Sequence, residues 1–151
     1  MKHQIDYSIS VSEDGIYVIM KINGEIRGDV TLRPAIEANE LARDVGVAGI
    51  LADLTEARRK RSVTQALVYV REVVVKEPRI SRNIKYAMLV SPDDHSHDFI
   101  ETAAINAGLI VQLFRIRDQA NKYLLKGLMS YLPLLWVWVC KAQIFDLILS
   151  C

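Results

Sequence analysis

Two cysteines among 151 residues, Cys140 and Cys151, are too few for a disulfide framework and fit a reducing compartment. Nor is there a dominant charge, since 19 basic residues face 18 acidic ones, so no global field draws in nucleic acid or an anionic membrane. Four prolines, seven glycines and 7% aromatics leave no low-complexity or proline-rich segment. The N-terminus, Met1-Lys2-His3-Gln4-Ile5-Asp6, holds no apolar run of signal-peptide length, and a cytoplasmic protein is expected. Glycine-rich phosphate loops are absent, as is any serine or cysteine nucleophile with an identifiable base, so a non-catalytic role is expected, without cofactor.

What is present is the material of one ordinary domain, 51% hydrophobic and long enough for a single core. Ile5, Tyr7, Ile9 and Val11 alternate with polar residues, as in a strand with one wet face, and Glu13-Asp14-Gly15 makes a turn. Ile16 to Ile22 is then the second strand of a hairpin. Ala38, Leu41, Ala42 and Val45 share a helical face, with Asp29 or Thr31 as cap and Gly46 as stop. Ala48 to Leu54 is an apolar run of the kind needed by a strand buried on both faces.

A second helix follows, with Val63, Ala66, Leu67, Val70, Val73 and Val74 on one side, a Ser62/Gln65 capping box at its start and Pro78 at its end. Lys85 to Val90 reads as the fourth strand. Ser91-Pro92-Asp93-Asp94 has the composition of a helix start, and Ile100, Ala103, Ala104 and Ala107 continue it to Gly108. Leu109 to Phe114 and about Asp118 to Lys126 complete a β-β-α-β-α-β-α-β-α order. That order predicts an α/β fold: a five-stranded, mixed but mostly parallel sheet with an N-terminal hairpin and about four helices.

The order and several local motifs together resemble a STAS domain, the fold of anti-sigma-factor antagonists. They are Gly24-Glu25-Ile26 after the second strand, Ile50-Leu51-Ala52-Asp53-Leu54-Thr55, and the stretch Val111 to Leu124. Within the last, Phe114-Arg115, Asp118-Gln119-Ala120 and Tyr123-Leu124 are similar to the closing strand and helix of SpoIIAA-like, or STAS/SEC14-like, bacterial proteins. The likeness spans roughly residues 5 to 126. It implies a regulatory module meeting a protein partner, a kinase or an anti-sigma-type regulator, with a phosphorylated serine near Ser62 or Thr64. The family's Asp-Ser-Ser-Gly is replaced here by Arg58-Arg59-Lys60-Arg61-Ser62-Val63-Thr64. The likeness to SEC14-like domains implies a second function, binding of a small ligand or lipid.

Arg58, Arg59, Lys60, Arg61 and Ser62 are the expected partner- or anion-binding residues, against the plainer reading of a solvated loop and a helix cap. The run is too short, and too poor in interleaved aromatics, for nucleic acid. Asp94, His95, His97 and Asp98 form the one cluster with metal-ligand chemistry. Acids belong at a helix N-terminus in any case, and two histidines in His-x-His lie about 200° apart on a helix. The stretch 128–151, with only Lys141 and Asp146 charged, is expected as an apolar extension to a domain covering 1–127. Trp136, Trp138, Ile144, Leu147 and Ile148 would pack on the domain or on a second copy as a homodimer. The alternative is a peripheral membrane attachment, since the unbroken apolar stretch is about half the ~20 residues of a spanning helix.

Overall fold

The computed structural model describes residues 5–60 and 62–129. Five strands form one sheet in the spatial order in which they occur in the chain. β1 (Asp6–Val11) pairs antiparallel with β2 (Val18–Ile26), and β3 (Gly49–Arg59), β4 (Lys85–Leu89) and β5 (Ile110–Phe114) continue the sheet in parallel. Gly15, at φ 72°, makes the hairpin turn. The helices are α1 (Leu32–Val45), α2 (Val63–Tyr69) with a π-helical turn at Val70–Val74, α3 (Asp98–Asn106) and α4 (Arg117–Met129).

Each parallel crossover moves one strand further in the same direction. With one hand of connection, their helices must fall on the same face of the sheet. There α1, α2 and α3 bury Ala38, Ala42, Ala66, Tyr69, Ile100 and Ala103 against Val18, Ile22, Ile50, Leu54 and Met88. Among the described residues only α4 covers the opposite face, packing Ala120 and Leu124 on Tyr17, Leu51, Ala87, Leu89 and Phe114. Gly49 permits that approach, for a Cβ there would stand 3.2 Å from Leu124 Cδ2. β3, between two helical layers, is thus the double-sided strand that its apolar composition predicts. Asn39, fully buried on α1, donates to Ala35 O and to the Tyr86 hydroxyl and accepts from Ser81 N, tying α1 to β4 and to the loop before it.

Several boundaries differ from the sequence expectation. β2 runs on through Asn23-Gly24-Glu25 to Ile26, and β3 runs beyond Leu54 to Arg59, because the two strands go on pairing past a bulge. α3 starts at Asp98 instead of Ser91, since the Ser91 hydroxyl donates to Thr55 O at 2.7 Å and 91–97 forms a loop against β3. The helix after Ser62 changes to π pairing at Val70, and Tyr69, outside the predicted stripe, is one of its buried residues. α4 extends through Gly127 to Met129. Among the described residues no helix is long and apolar enough to cross a membrane. Trp136, Trp138, Ile144, Leu147 and Ile148, like Arg61, lie outside the described residues.

Candidate functional site

The carboxyl ends of β2 to β5 gather most of the chemistry-bearing residues. The bulge decides how. Lys21 pairs with Asp53 and Asn23 with Glu56, so β3 spends one residue more than β2 over the same length. Before it, the even-numbered Ile50, Ala52 and Leu54 face α1 to α3; after it, Ala57 and Arg59 do. Arg59 is consequently buried while Arg58 and Lys60 project outward. The basic run is split, and its exposed members meet acids: Lys60 Nζ lies 2.9 Å from Glu25 Oε2, and Arg58 Nη2 lies 4.0 Å from Asp93 Oδ2. Glu25 also pairs with Arg27. Such exposed pairs contribute at most about 1 kcal/mol each and leave the groups free to exchange partners.

Ser62 caps α2 as its spacing predicts, its Oγ accepting from Gln65 N at 3.3 Å and Gln65 Oε1 from Ser62 N at 3.4 Å. Both Ser62 and Thr64 are exposed. Ser91 and Ser96 are engaged elsewhere, Ser91 with Thr55 O and Ser96 Oγ as acceptor from Arg59 N at 3.1 Å.

The four residues with ligand chemistry separate into two pairs. Asp94 and His97 are buried: Asp94 Oδ1 accepts from Ser96 N at 2.9 Å, and His97 Nε2 donates to Ala57 O at 3.2 Å with Asp94 Oδ2 3.5 Å away. His95 and Asp98 are solvent-facing and share Arg115, whose Nη2 reaches Asp98 Oδ1 at 2.8 Å and His95 Nδ1 at 3.1 Å. An arginine thus stands where a cation would be held. Among the described residues no three acids, histidines or cysteines come together as a metal site.

Burial lowers the His97 pKa, and the nearby Arg59 charge adds to this against the opposing pull of the Ala57 carbonyl, Asp94 and Asp98. The ring is therefore held neutral. For Asp94, burial pushes upward, but the hydrogen bonds centred on Ser96 and the Arg58 charge prevail and lower its pKa.

Sequence reasoning passed over Asp53. It lies buried on the α4 side, its Oδ1 accepting from Thr55 N at 3.1 Å and from Thr55 Oγ1 at 2.7 Å and its Oδ2 from Arg117. Burial raises its pKa, yet these donors outweigh burial and hold the carboxyl below its usual range. The available signal was a lone acid in an apolar strand and an Arg-x-Arg at the start of α4.

Two hollows flank Tyr69. One is an open groove of about 780 Å³ beside α2, lined among others by Arg27, Lys60, Gln65 and Val68. The other is a partly open, apolar hollow of about 120 Å³ between the sheet and its helices. The Tyr69 hydroxyl and Thr31 Oγ1, 3.0 Å apart, join α2 to the residue preceding α1 at this point.

No protein-family profile matches the chain, and no curated protein matches it. Among solved structures, an anti-sigma factor antagonist from Mycobacterium paratuberculosis is similar over 82% of this chain and 97% of its own, at 15% identity and a TM-score of 0.51. An uncharacterised DUF3478-family protein with a SpoIIAA-like fold, from Shewanella loihica, aligns over 82% and 96% at 16% identity and a TM-score of 0.46. Element order, sheet topology and the first of these likenesses agree, and the chain has the STAS, or SpoIIAA-like, fold.

Proposed function

We propose that this protein is a non-catalytic regulatory module of the cytoplasm, binding a protein partner at the carboxyl edge of its sheet. The observation that carries this reading is the outward projection of Arg58, Lys60 and Ser62 beside Asp93 on one exposed edge. Their loosely held ion pairs are able to exchange Glu25 and Asp93 for acids of a partner. The fold neighbour named as an anti-sigma factor antagonist supports a partner of that regulatory kind, a kinase or an anti-sigma-type protein. Arg61 extends the same basic run in sequence. Phosphorylation of Ser62 or Thr64 would add negative charge between these cations and oppose an acidic partner.

Affinity capture with the wild-type chain and with Arg58→Glu/Lys60→Glu, followed by calorimetry on the purified pair, tests the reading. A partner bound by the wild type and weakened at least tenfold by the charge reversal is expected. A partner bound equally by both would sink it. A second reading, small-ligand binding, is favoured by one specific observation, the apolar hollow beside Tyr69.

A further inference from the structure

The two edges of the sheet end differently. At β5 the outward N–H of Leu113 donates to Glu101 Oε1 of α3 at 2.8 Å, so that edge is partly occupied. At β1 the pairing alternates: Ser12 N donates to Tyr17 O at 2.9 Å, and in the same register Asp6, Ser8 and Ser10 turn their backbone groups towards β2. Tyr7, Ile9 and Val11 turn theirs away from the sheet, and among the described residues no hydrogen bond meets them. Such an edge is a template for another strand, and proteins blunt it with lysine, proline or a bulge. β1 has none of these.

The sequence of β1 fits a second copy of itself. Opposite residues of an antiparallel pair share a face, so a two-fold axis between two β1 strands stands normal to the sheet and passes through one residue. With that axis at Ser8, Tyr7 faces Ile9 and Ile5 faces Val11, while Asp6 faces Ser10. Apolar side chains then meet apolar ones, the exposed Val11 is covered, and no like charges oppose each other. The outward backbone groups from Ile5 to Val11 are all paired as well. Moving the axis to Ile9 would set Ile5 against Glu13 of the turn, and moving it to Tyr7 would carry Val11 past the start of the strand.

The same axis keeps the helical layers of both copies on one face. Because α1 lies over β1 and β2, the two α1 helices approach to on the order of 10 Å, an ordinary packing distance. The groove beside Tyr7 holds Arg33 and Arg79 together with Glu37 and Glu40, so each copy offers cations to the acids of the other.

We infer that the β1 edge is a homodimer surface, joining two five-stranded sheets into one continuous sheet with Ser8 on the two-fold axis. β2 to β5 of the two copies run in opposite directions, so the carboxyl edges with Arg58 and Lys60 lie at opposite ends and stay open. A contact of one short strand and one helix flank falls at the low end of specific interfaces, below about 1,200 Å². It therefore acts in the full chain, where the largely apolar residues 130–151 add contact.

Sedimentation equilibrium of the full chain carrying Ser8→Lys or Ser8→Ala, and air oxidation of full-length Ser8→Cys, Tyr7→Cys and Ile9→Cys, test this. Ser8 is exposed in the single copy, so the lysine is tolerated there but meets its like across the axis. The dimer is expected to dissociate at least tenfold more readily in Ser8→Lys and to be unchanged in Ser8→Ala. Ser8→Cys is expected to give a disulfide that peptide mass mapping places at residue 8 of both copies, since opposed residues without mutual hydrogen bonds bring their Cα atoms to about 4.5 Å. Tyr7→Cys and Ile9→Cys are expected to give none. A monomeric full chain, a Ser8→Lys dimer as tight as the wild type, or a link at residue 7 or 9 in place of 8 would each overturn the inference and leave the edge to an extended segment of another protein.

Discussion

At the scale of single residues, the decisive groups are polar side chains that the sheet buries. Asp53 exchanges water for Thr55 and Arg117, and a charge-assisted hydrogen bond is worth more than a neutral one. Asp53→Asn keeps the shape and removes the charge. It is expected to cost about 1–2 kcal/mol in urea unfolding at pH 7. Since the folded carboxyl titrates below its usual range, its contribution is complete at neutral pH and is lost as pH falls through that lowered value. Wild type and variant should therefore converge in acid.

His97 responds to acid over a different interval. Its ring is fully buried and its pKa lies below the ordinary 6.5, so the unfolded chain takes up a proton before the folded one does. Stability associated with this residue is present above about pH 6.5 and declines as pH drops from there towards the lowered folded value. His97→Gln should flatten the dependence of melting temperature on pH below about 6.5. A slope identical to that of the wild type would assign the effect to other groups. Neither Asp53 nor His97 is readable as buried from spacing alone, because what buries them is α4 in one case and the 91–97 loop in the other.

At the scale of elements, β3 and its neighbour β2 carry the main lesson. The apolar run Ile50 to Leu54 announces a strand but not its end, since Thr55 to Arg59 looks polar until β2 supplies backbone partners. Gly24 belongs to that extended pairing at φ 100°, with nothing within 4 Å of where a Cβ would stand. Space is not the obstacle there, the backbone is. Gly24→Ala is expected to cost about 1–3 kcal/mol by calorimetry, from conformational strain. Ser62→Ala, by contrast, removes only a cap and should cost about 1 kcal/mol, measured the same way.

The capping box was legible because its groups lie three residues apart in one chain. The start of α3 was not. Ser91 and Pro92 satisfy every local rule for a helix start, yet the Ser91 hydroxyl meets a carbonyl on β3, a partner 36 residues away.

At the scale of the whole molecule, the described residues form one sheet with two apolar layers, the second closed by Ala120 and Leu124 of α4. A chain ending at Met129 is therefore expected to unfold in a single cooperative transition. The full chain carries 130–151, which include both tryptophans, and is expected to elute as a dimer by light scattering where the shorter one elutes as a monomer. Equal masses for the two would remove the extension from any role in assembly.

The chain order of strands and helices, the hairpin turn at Gly15, the stop at Gly46 and the inward stripe of α3 follow from the sequence by itself, because period, turn chemistry and caps act over a few residues. Tertiary structure alone decided that Arg59 turns inward while Arg58 and Lys60 stay outside, that Asp94 and His97 part from His95 and Asp98, and that an apolar hollow lies beside Tyr69. Each of these depends on a bulge set by a neighbouring strand, or on a loop and helix brought from far along the chain. The carboxyl edge takes its form from that long-range pairing.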